Sequence, residues 1–371
     1  MKPLRICVYT GKGASHSWIW LVNTLDKYKF QNIQFTSSCK NIAETDVLVI
    51  SGGDPFAIFS HIGKKGVSSI RKFIKTGGTY IGICAGTYFA LQFHDNPYPW
   101  LNLVKGEISN FRENPPPNIR MPHKYMVPYR NGVVFHPVRD AVLLEYEGSP
   151  LPAPLYGGPG IISADANTEF LAKYTKFTEK TLFLCDKKIA ETTLLGTYSL
   201  LHTTVGTGHL FLFGPHFEHP YYPRANTALA NMLSSIPASN YQFVPCGTLI
   251  SGIKKRKWVK ELKRWISNGR LAAFGLENYH WKIGEKIYDP ERLAYFFETC
   301  FQLVKFFESQ ESVYTIDTLP SKSRYLAKKV RTLGSDPVKA EIILEGIKEV
   351  TTLLYSLYFS TLQQLQLTHT P

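Results

Sequence analysis

The sequence predicts an α/β protein with a mostly parallel sheet, helices on both of its faces, and a helical appendage at the carboxyl end. Three observations predict it. Short apolar runs alternate with segments of helical spacing over residues 4–84. Three of those runs end in glycine or in reactive residues, as strands do when they enter loops along one edge of a sheet. Past residue 240 the strand pattern gives way to long stretches with an apolar residue every three or four positions.

Taken in order, "LRICVYT" (4–10) is a buried strand and "WIWLVNTLDKY" (18–28) a helix. "NIQFTS" and "DVLVISGGD" (46–54) are further strands, followed by the lysine-rich helix "GVSSIRKFIKTGG" and the strand "TYIGIC". From residue 95 to about 160 prolines and glycines indicate long loops with short strands such as "GVVFHPV" and "AVLLEYEG". "EFLAKYTK", "TYSLLHTTVGTG" and "HLFLFGPHFEHP" return to strand character, with Gly206–Gly208 as a hairpin turn. Asp289 and Pro290, then Asp336 and Pro337, each open a helix, the first carrying a stripe of Leu293, Phe296, Phe297, Cys300, Val304 and Phe307. Two domains are expected, 1–240 and 241–371.

At 371 residues with 44% apolar content the chain can bury a large core. The formal charge of +13 allows nucleic acid, an anionic surface or plain solubility as explanations. Six scattered cysteines without a Cys-x-x-Cys pair argue against a zinc or dithiol centre, and no metal or cofactor is expected. The amino terminus reads as a strand and a glycine turn, with an apolar stretch too short for a signal-peptide core, and no run is long enough to span a bilayer. A cytoplasmic location is expected.

Chemistry is expected at Cys84. A cysteine at a tight strand-to-helix turn is exposed at the sheet edge, where unpaired helix N–H groups and the positive dipole end favour a thiolate. Gly82 and Gly86 suit such a bend, since a side chain at either position would crowd it. The bland alternative is a small buried hydrophobe, the commonest role of a free cysteine. The base is expected at His216, delivered at the end of "HLFLF". Glu218 lies two residues on and points the same way in an extended segment. His219 faces away and precedes Pro220, so packing or solvent is its expected role. The N–H groups of Ala85 and Gly53 are the expected oxyanion donors.

The motifs "GICAGTYFA", "SGGD" and "GPHFE" resemble the class I glutamine amidotransferase superfamily. Taken in chain order, "VYTGKGAS", "GICAGTYFA", "YGGPG", "FLAKY" and "FGPHFE" resemble the amino-terminal domain of biotin-protein ligase and its stand-alone relatives, over roughly residues 4–222. The resemblance implies a flavodoxin-like sheet with a Cys-His-Glu triad of Cys84, His216 and Glu218. Gly11, Ser15, His16, Asp54, Thr87, Tyr88, Gly157 and Gly158 are the residues expected to line the substrate. There are two departures. Tyr88 stands where glutaminases of the superfamily usually carry glutamine, and no glycine- and arginine-rich loop for biotinyl-adenylate is found, so the chain is not a complete biotin ligase.

The expected function is a cysteine-dependent amidohydrolase or amidotransferase-like protein that forms a thioester with a small amide or peptide-like substrate. A non-catalytic module that binds a small molecule or a protein, associated with biotin-protein ligase function, is the alternative. The basic segment Lys254–Trp265, with Trp258 and Trp265, reads first as a solvated helix with its tryptophans packed inward. Contact with nucleic acid or an anionic surface is its minor reading.

Overall fold

A computed structural model describes residues 4–92, 100–114, 116, 126–129, 132–239, 244–284 and 286–368. The chain divides into two compact units, one of residues 1–30 with 36–239, the other of residues 31–35 with 240–371.

In the first unit β1 (Ile6–Tyr9) leads to α1 (Ser17–Lys27). After β2 (Ile33–Thr36) come β3 (Val47–Ile50), α2 (Pro55–Lys75), β4 (Thr79–Ile83) and the short α3 (Ala85–Ala90). β1, β3 and β4 run parallel and every residue in them is buried, as expected of strands covered by helices on both faces. α2 is broken at Gly63, whose φ of 60° departs from helical geometry.

Seven small or mid-chain strands follow: β5 (Leu91–Gln92), β6 (Val104–Ile108), β7 (Phe111–Arg112), β8 (Met126–Tyr129), β9 (Gly132–Phe135), β10 (Val138–Tyr146) and β11 (Ser149–Leu155). Then come β12 (Ile161–Ala164), β13 (Glu169–Phe177), β14 (Leu182–Phe183), α4 (Lys187–Leu194), β15 (Tyr198–Val205), β16 (Gly208–Phe213) and α5 (Pro223–Ser234). The main sheet has the order β11-β10-β13-β15-β16-β4-β3-β1. β16 pairs parallel with β4, so the parallel half continues through it, while the strands from β15 to β11 pair antiparallel.

The proline-rich stretch corrects one expectation. "SPLPAPL", expected as loop, is β11 at the end of the sheet, joined to β10 through Glu147 and Gly148 at φ values of 50° and 70°, the left-handed pair a two-residue hairpin needs. Its prolines fall at alternate positions, 150, 152 and 154, so all of them sit where the N–H would face away from β10. The hairpin at Gly206 and Thr207 forms as expected, with Val205 paired to Gly208.

The second unit holds β17 (Thr248–Ser251), α6 (Gly252–Phe274), β18 (Trp281–Ile283), β19 (Lys286–Tyr288), α7 (Pro290–Ser309), β20 (Ser312–Thr315), α8 (Leu319–Val330) and α9 (Pro337–Thr368). The six expected stripe residues of α7 are all buried. Asp336 caps α9 by accepting from the N–H groups of Val338 and Lys339 at 3.0 and 3.1 Å. Asp289 occupies the cap position of α7 without such a bond and lies 3.8 Å from His280. Among the described residues no helix is long and apolar enough to cross a membrane.

Candidate active site

Because β1, β3, β4 and β16 are parallel, the residues that follow them emerge along one edge. Backbone bonds tie these tips together. Ser15 N–H donates to Gly52 O at 2.9 Å and Asp54 N–H to Gly13 O at 2.8 Å, while Cys84 N–H donates to Phe213 O at 2.8 Å. The approach of the first two tips is close: a Cβ on Gly53, whose φ is 157°, would lie 2.0 Å from Gly13 O.

Cys84 sits between β4 and α3 with φ 53° and ψ −100°, a strained left-handed backbone for a residue with a side chain. Its surroundings hold that geometry in place. A Cβ on Gly82 would lie 2.6 Å from Gly86 O, and one on Gly86 only 2.0 Å from Ile50 O. Thr87 donates to Gly82 O at 2.9 Å and to Phe213 O at 2.7 Å, and Tyr80 donates to Gly86 O at 2.8 Å. Cys84 is buried, 7% exposed, which corrects the expectation of an exposed thiol: α3 and the loop after β16 close over the strand end.

His216 and Glu218 lie on the loop after β16, and five bonds from four elements clamp that loop. Gly214 N–H reaches Ser199 O at 2.8 Å and His216 N–H reaches Pro154 O at 2.9 Å. Thr24 donates to Glu218 O at 2.9 Å, and the Asn226 amide donates to Phe217 O at 2.7 Å and His219 O at 3.0 Å. Pro154 accepts because its carbonyl is on the outward side of the edge strand. Nδ1 of His216 is 2.7 Å from Oε1 of Glu218, both side chains being buried. Burial by itself would lower the imidazole pKa, but the Glu218 charge, the bond to Glu218 and the nearby Cys84 outweigh it and raise it to about 10. His219 goes the other way: burial and the neighbouring His216 lower it to about 4.

Three comparisons bear on this arrangement. Residues 4–95 match the family model described as "Biotin-protein ligase, N terminal". The match includes Gly53, Cys84 and Ala85 and ends before His216 and Glu218. An uncharacterized protein of Chlamydia muridarum (strain MoPn / Nigg) is 33% identical over 99 residues, 24% of this chain. The chain spans 38% of that relative's length. Among solved structures, a glutamine amidotransferase is similar at 16% identity and a TM-score of 0.41, covering 61% of this chain and 98% of its own. A cytoplasmic protein of Salmonella typhimurium is similar at 12% identity and a TM-score of 0.36, covering 64% of this chain and all (100%) of its own.

The residues expected to line substrate are put to varied uses. Asp54 is buried, and its Oδ1 accepts from Phe56 N–H at 3.0 Å and Ala57 N–H at 3.3 Å, so its carboxylate caps α2. Thr87 is fully buried, with its hydroxyl spent on the elbow. Tyr88 donates to Gly157 O at 3.0 Å and accepts from Asn110 at 2.6 Å, and burial holds its hydroxyl well above the usual tyrosine pKa. Gly11, Gly157 and Gly158 are sites of close approach: added Cβ atoms would meet Ser37 O at 2.5 Å, the His136 ring at 3.0 Å and Gly214 O at 1.8 Å. Ser15 and His16 are half-buried, His16 with its ring 4.7 Å from that of Trp20.

Several groups around the site went unread in the sequence. Trp20 lies 5.8 Å from the His216 ring and 4.3 Å from His219, and Tyr156 lies 5.7 Å from His216. Tyr156 stands under the Arg139 guanidinium at 5.1 Å, and burial together with the nearby Asp140, itself at φ 66°, pushes its hydroxyl above the usual tyrosine pKa. Nothing in the local spacing of Trp20 or Asn226 marks them; only the motif "YGGPG" includes Tyr156.

The remaining thiols are held protonated. Burial raises Cys7 and Cys300 to about 12 and Cys185 to about 11, and it raises Cys39 and Cys246 as well. Among the described residues no three His, Cys, Asp or Glu side chains are grouped as a metal ion would require. In the basic segment on α6, Lys255 donates to Glu308 O at 2.8 Å and to Gln310 O, and Trp258 is packed inward with its indole N–H on Ile316 O at 3.2 Å. Lys263 pairs with Glu308, and Arg264 and Arg324 stand over Trp265 at 5.1 and 5.3 Å.

Proposed function

We propose that the first unit is a cysteine-dependent amidohydrolase or amidotransferase-like enzyme, in which Cys84 attacks an amide, His216 shuttles the proton and Glu218 orients and charges His216. The observation that carries the reading is the buried Glu218–His216 pair, 2.7 Å apart, with Cys84 acting on the charge of His216 from a strained strand-to-helix turn. An imidazolium held by a buried carboxylate favours the thiolate beside it. The sulfur adds to the amide carbon, and His216 gives its proton to the nitrogen as the C–N bond breaks. Ammonia or an amine leaves and a thioester remains. Water then adds, His216 taking its proton, and the acid departs as the thiolate returns. Ala85 opens α3, so its N–H has no partner within the helix, and together with Gly53 N–H it is assigned to the oxyanion.

Iodoacetamide at pH 7, with the modified peptides identified by mass spectrometry, tests the reading. Cys84 should react on the order of tenfold faster than Cys246, and His216→Ala should abolish that advantage, because an ordinary thiol is only a few per cent ionised at that pH. Equal reactivity of the two thiols would sink it.

A second reading, a regulatory module that binds a small molecule or a protein, is favoured by the Tyr88 hydroxyl locked between Gly157 and Asn110 in the wall beyond the thiol. It predicts that Cys84→Ala keeps every cellular effect, whereas the enzymatic reading predicts their loss.

A further inference from the structure

Glu218 is the end of a hydrogen-bonded chain that the reaction above does not use. Its Oε1 accepts from His216 at 2.7 Å and from Ser51 Oγ at 3.1 Å, and Oε2 is buried with no hydrogen-bond partner among the described residues. Ser51 Oγ lies 2.8 Å from Ser17 Oγ, which lies 2.9 Å from Ser15 Oγ. The direction of the chain follows from proton counting. A hydroxyl has one proton to give, and an ionised carboxylate only accepts. Ser51 therefore donates to Glu218, Ser17 donates to Ser51, and Ser15 donates to Ser17. The backbone N–H of Ser17 returns a bond to Ser15 Oγ at 3.3 Å, which fits Ser15 as an acceptor there. Ser17 and Ser51 are buried, and Ser15 is half-buried at the rim. Glycine at position 52 keeps the passage open, since a Cβ there would lie 2.7 Å from His216 Cε1 and 2.9 Å from Ser17 Oγ.

We propose that Ser51, Ser17 and Ser15 are positioning residues: a hydroxyl relay, all of whose protons point inward, that keeps the Glu218 carboxylate hydrogen-bonded and turned toward His216. The proposal rests on the thiol–imidazole reading above. A hydroxyl that itself accepts a hydrogen bond donates more strongly, so the support falls off with distance along the chain. Without Ser51 the carboxylate would have only the imidazole as a donor and would be freer to turn away from it. The imidazolium would lose support, and the thiolate would form later in a titration. His216 also faces Cys84, His219 and Tyr156, and these groups are unchanged in all three serine variants.

The test is the rate of Cys84 alkylation by iodoacetamide from pH 5 to 9, in which the thiolate forms the S–C bond and iodide leaves. It is run on wild type, Ser51→Ala, Ser17→Ala, Ser15→Ala and His216→Ala, each with a thermal melt. Expected is an acid limb about one pH unit higher in Ser51→Ala, about tenfold slower at a pH on the limb, since a hydrogen bond to a charged group is of that size. Ser17→Ala should shift less and Ser15→Ala least. An acid limb that stays in place in Ser51→Ala and Ser17→Ala, even with lowered melting temperatures, overturns the relay. Should Ser51→Ala not fold, Ser17→Ala decides. A wild-type profile identical to that of His216→Ala would instead remove the thiol–imidazole reading on which the relay stands.

Discussion

One methyl group at position 86 would disturb the elbow. The Cβ of an alanine there would be placed 2.0 Å from Ile50 O, a backbone atom of a buried strand that cannot swing aside. Gly86→Ala should therefore destabilise the first unit by about 3 kcal/mol, at the upper end for overpacking. The measurement is thermal denaturation, and a melting temperature within a degree of wild type would contradict it. The sequence showed the need for small residues around Cys84 because glycine at both flanks is a local signal. It did not show Asn226, whose two amide hydrogens satisfy the carbonyls of Phe217 and His219. Asn226→Leu would leave the Phe217 carbonyl buried and unpaired, while His219 O keeps the Tyr222 N–H at 3.1 Å, a cost of about 1–3 kcal/mol. It should slow Cys84 alkylation along with lowering the melt, because the same loop carries His216. Loss of stability with unchanged alkylation would show that the loop holds its geometry by other means.

Helix ends and strand edges decide where the chain's special residues go. The basic stretch on α6 illustrates this, since Lys255 is buried and its ammonium sits on the last carbonyls of α7, where a helix leaves acceptors without partners and the dipole is negative. Lys255→Met keeps the length of the side chain and removes the charge, so it should cost the second unit about 1–3 kcal/mol. Urea denaturation followed by a reporter in that unit would register the change, and an unaltered midpoint would refute it. On the strand side, three prolines that look like loop residues instead form an edge strand, because alternation by two sends each missing N–H outward. That edge is functional in its placement: the Pro154 carbonyl facing outward accepts the His216 N–H.

Across the whole molecule, opposed titrations set a window of stability. His219, lowered to about 4, stays neutral in the fold while the unfolded chain binds a proton at the ordinary histidine value of 6.5. Its contribution is present above that value and is lost as pH falls toward 4. His216, raised to about 10, holds its proton in the fold, so its contribution is present below 6.5 and is lost as pH rises through 10. Buried Cys7, Cys185 and Cys300 add to the alkaline loss above the ordinary thiol value of 9.0, where unfolded thiols ionise and these do not. The melting temperature should peak near pH 6–7 and fall on both sides. In His219→Phe the acid-side fall should flatten, and an unchanged acid limb in that variant would disprove the assignment.

The order of strands and helices in the first 90 residues, the strand-to-helix turn at Cys84 and the histidine with its carboxylate two residues on were legible in the sequence. Each is written in short-range pattern: a period of two or of 3.6, a glycine beside a bend, a cap before a helix. The five-bond clamp on the 214–219 loop, the serine chain that ends at Glu218 and the aromatic wall of Trp20 and Tyr156 depend on residues far apart in the chain, 194 positions in the case of Thr24 and Glu218. No local pattern encodes such pairs, because they exist only once the parallel strands have brought their ends to a common edge.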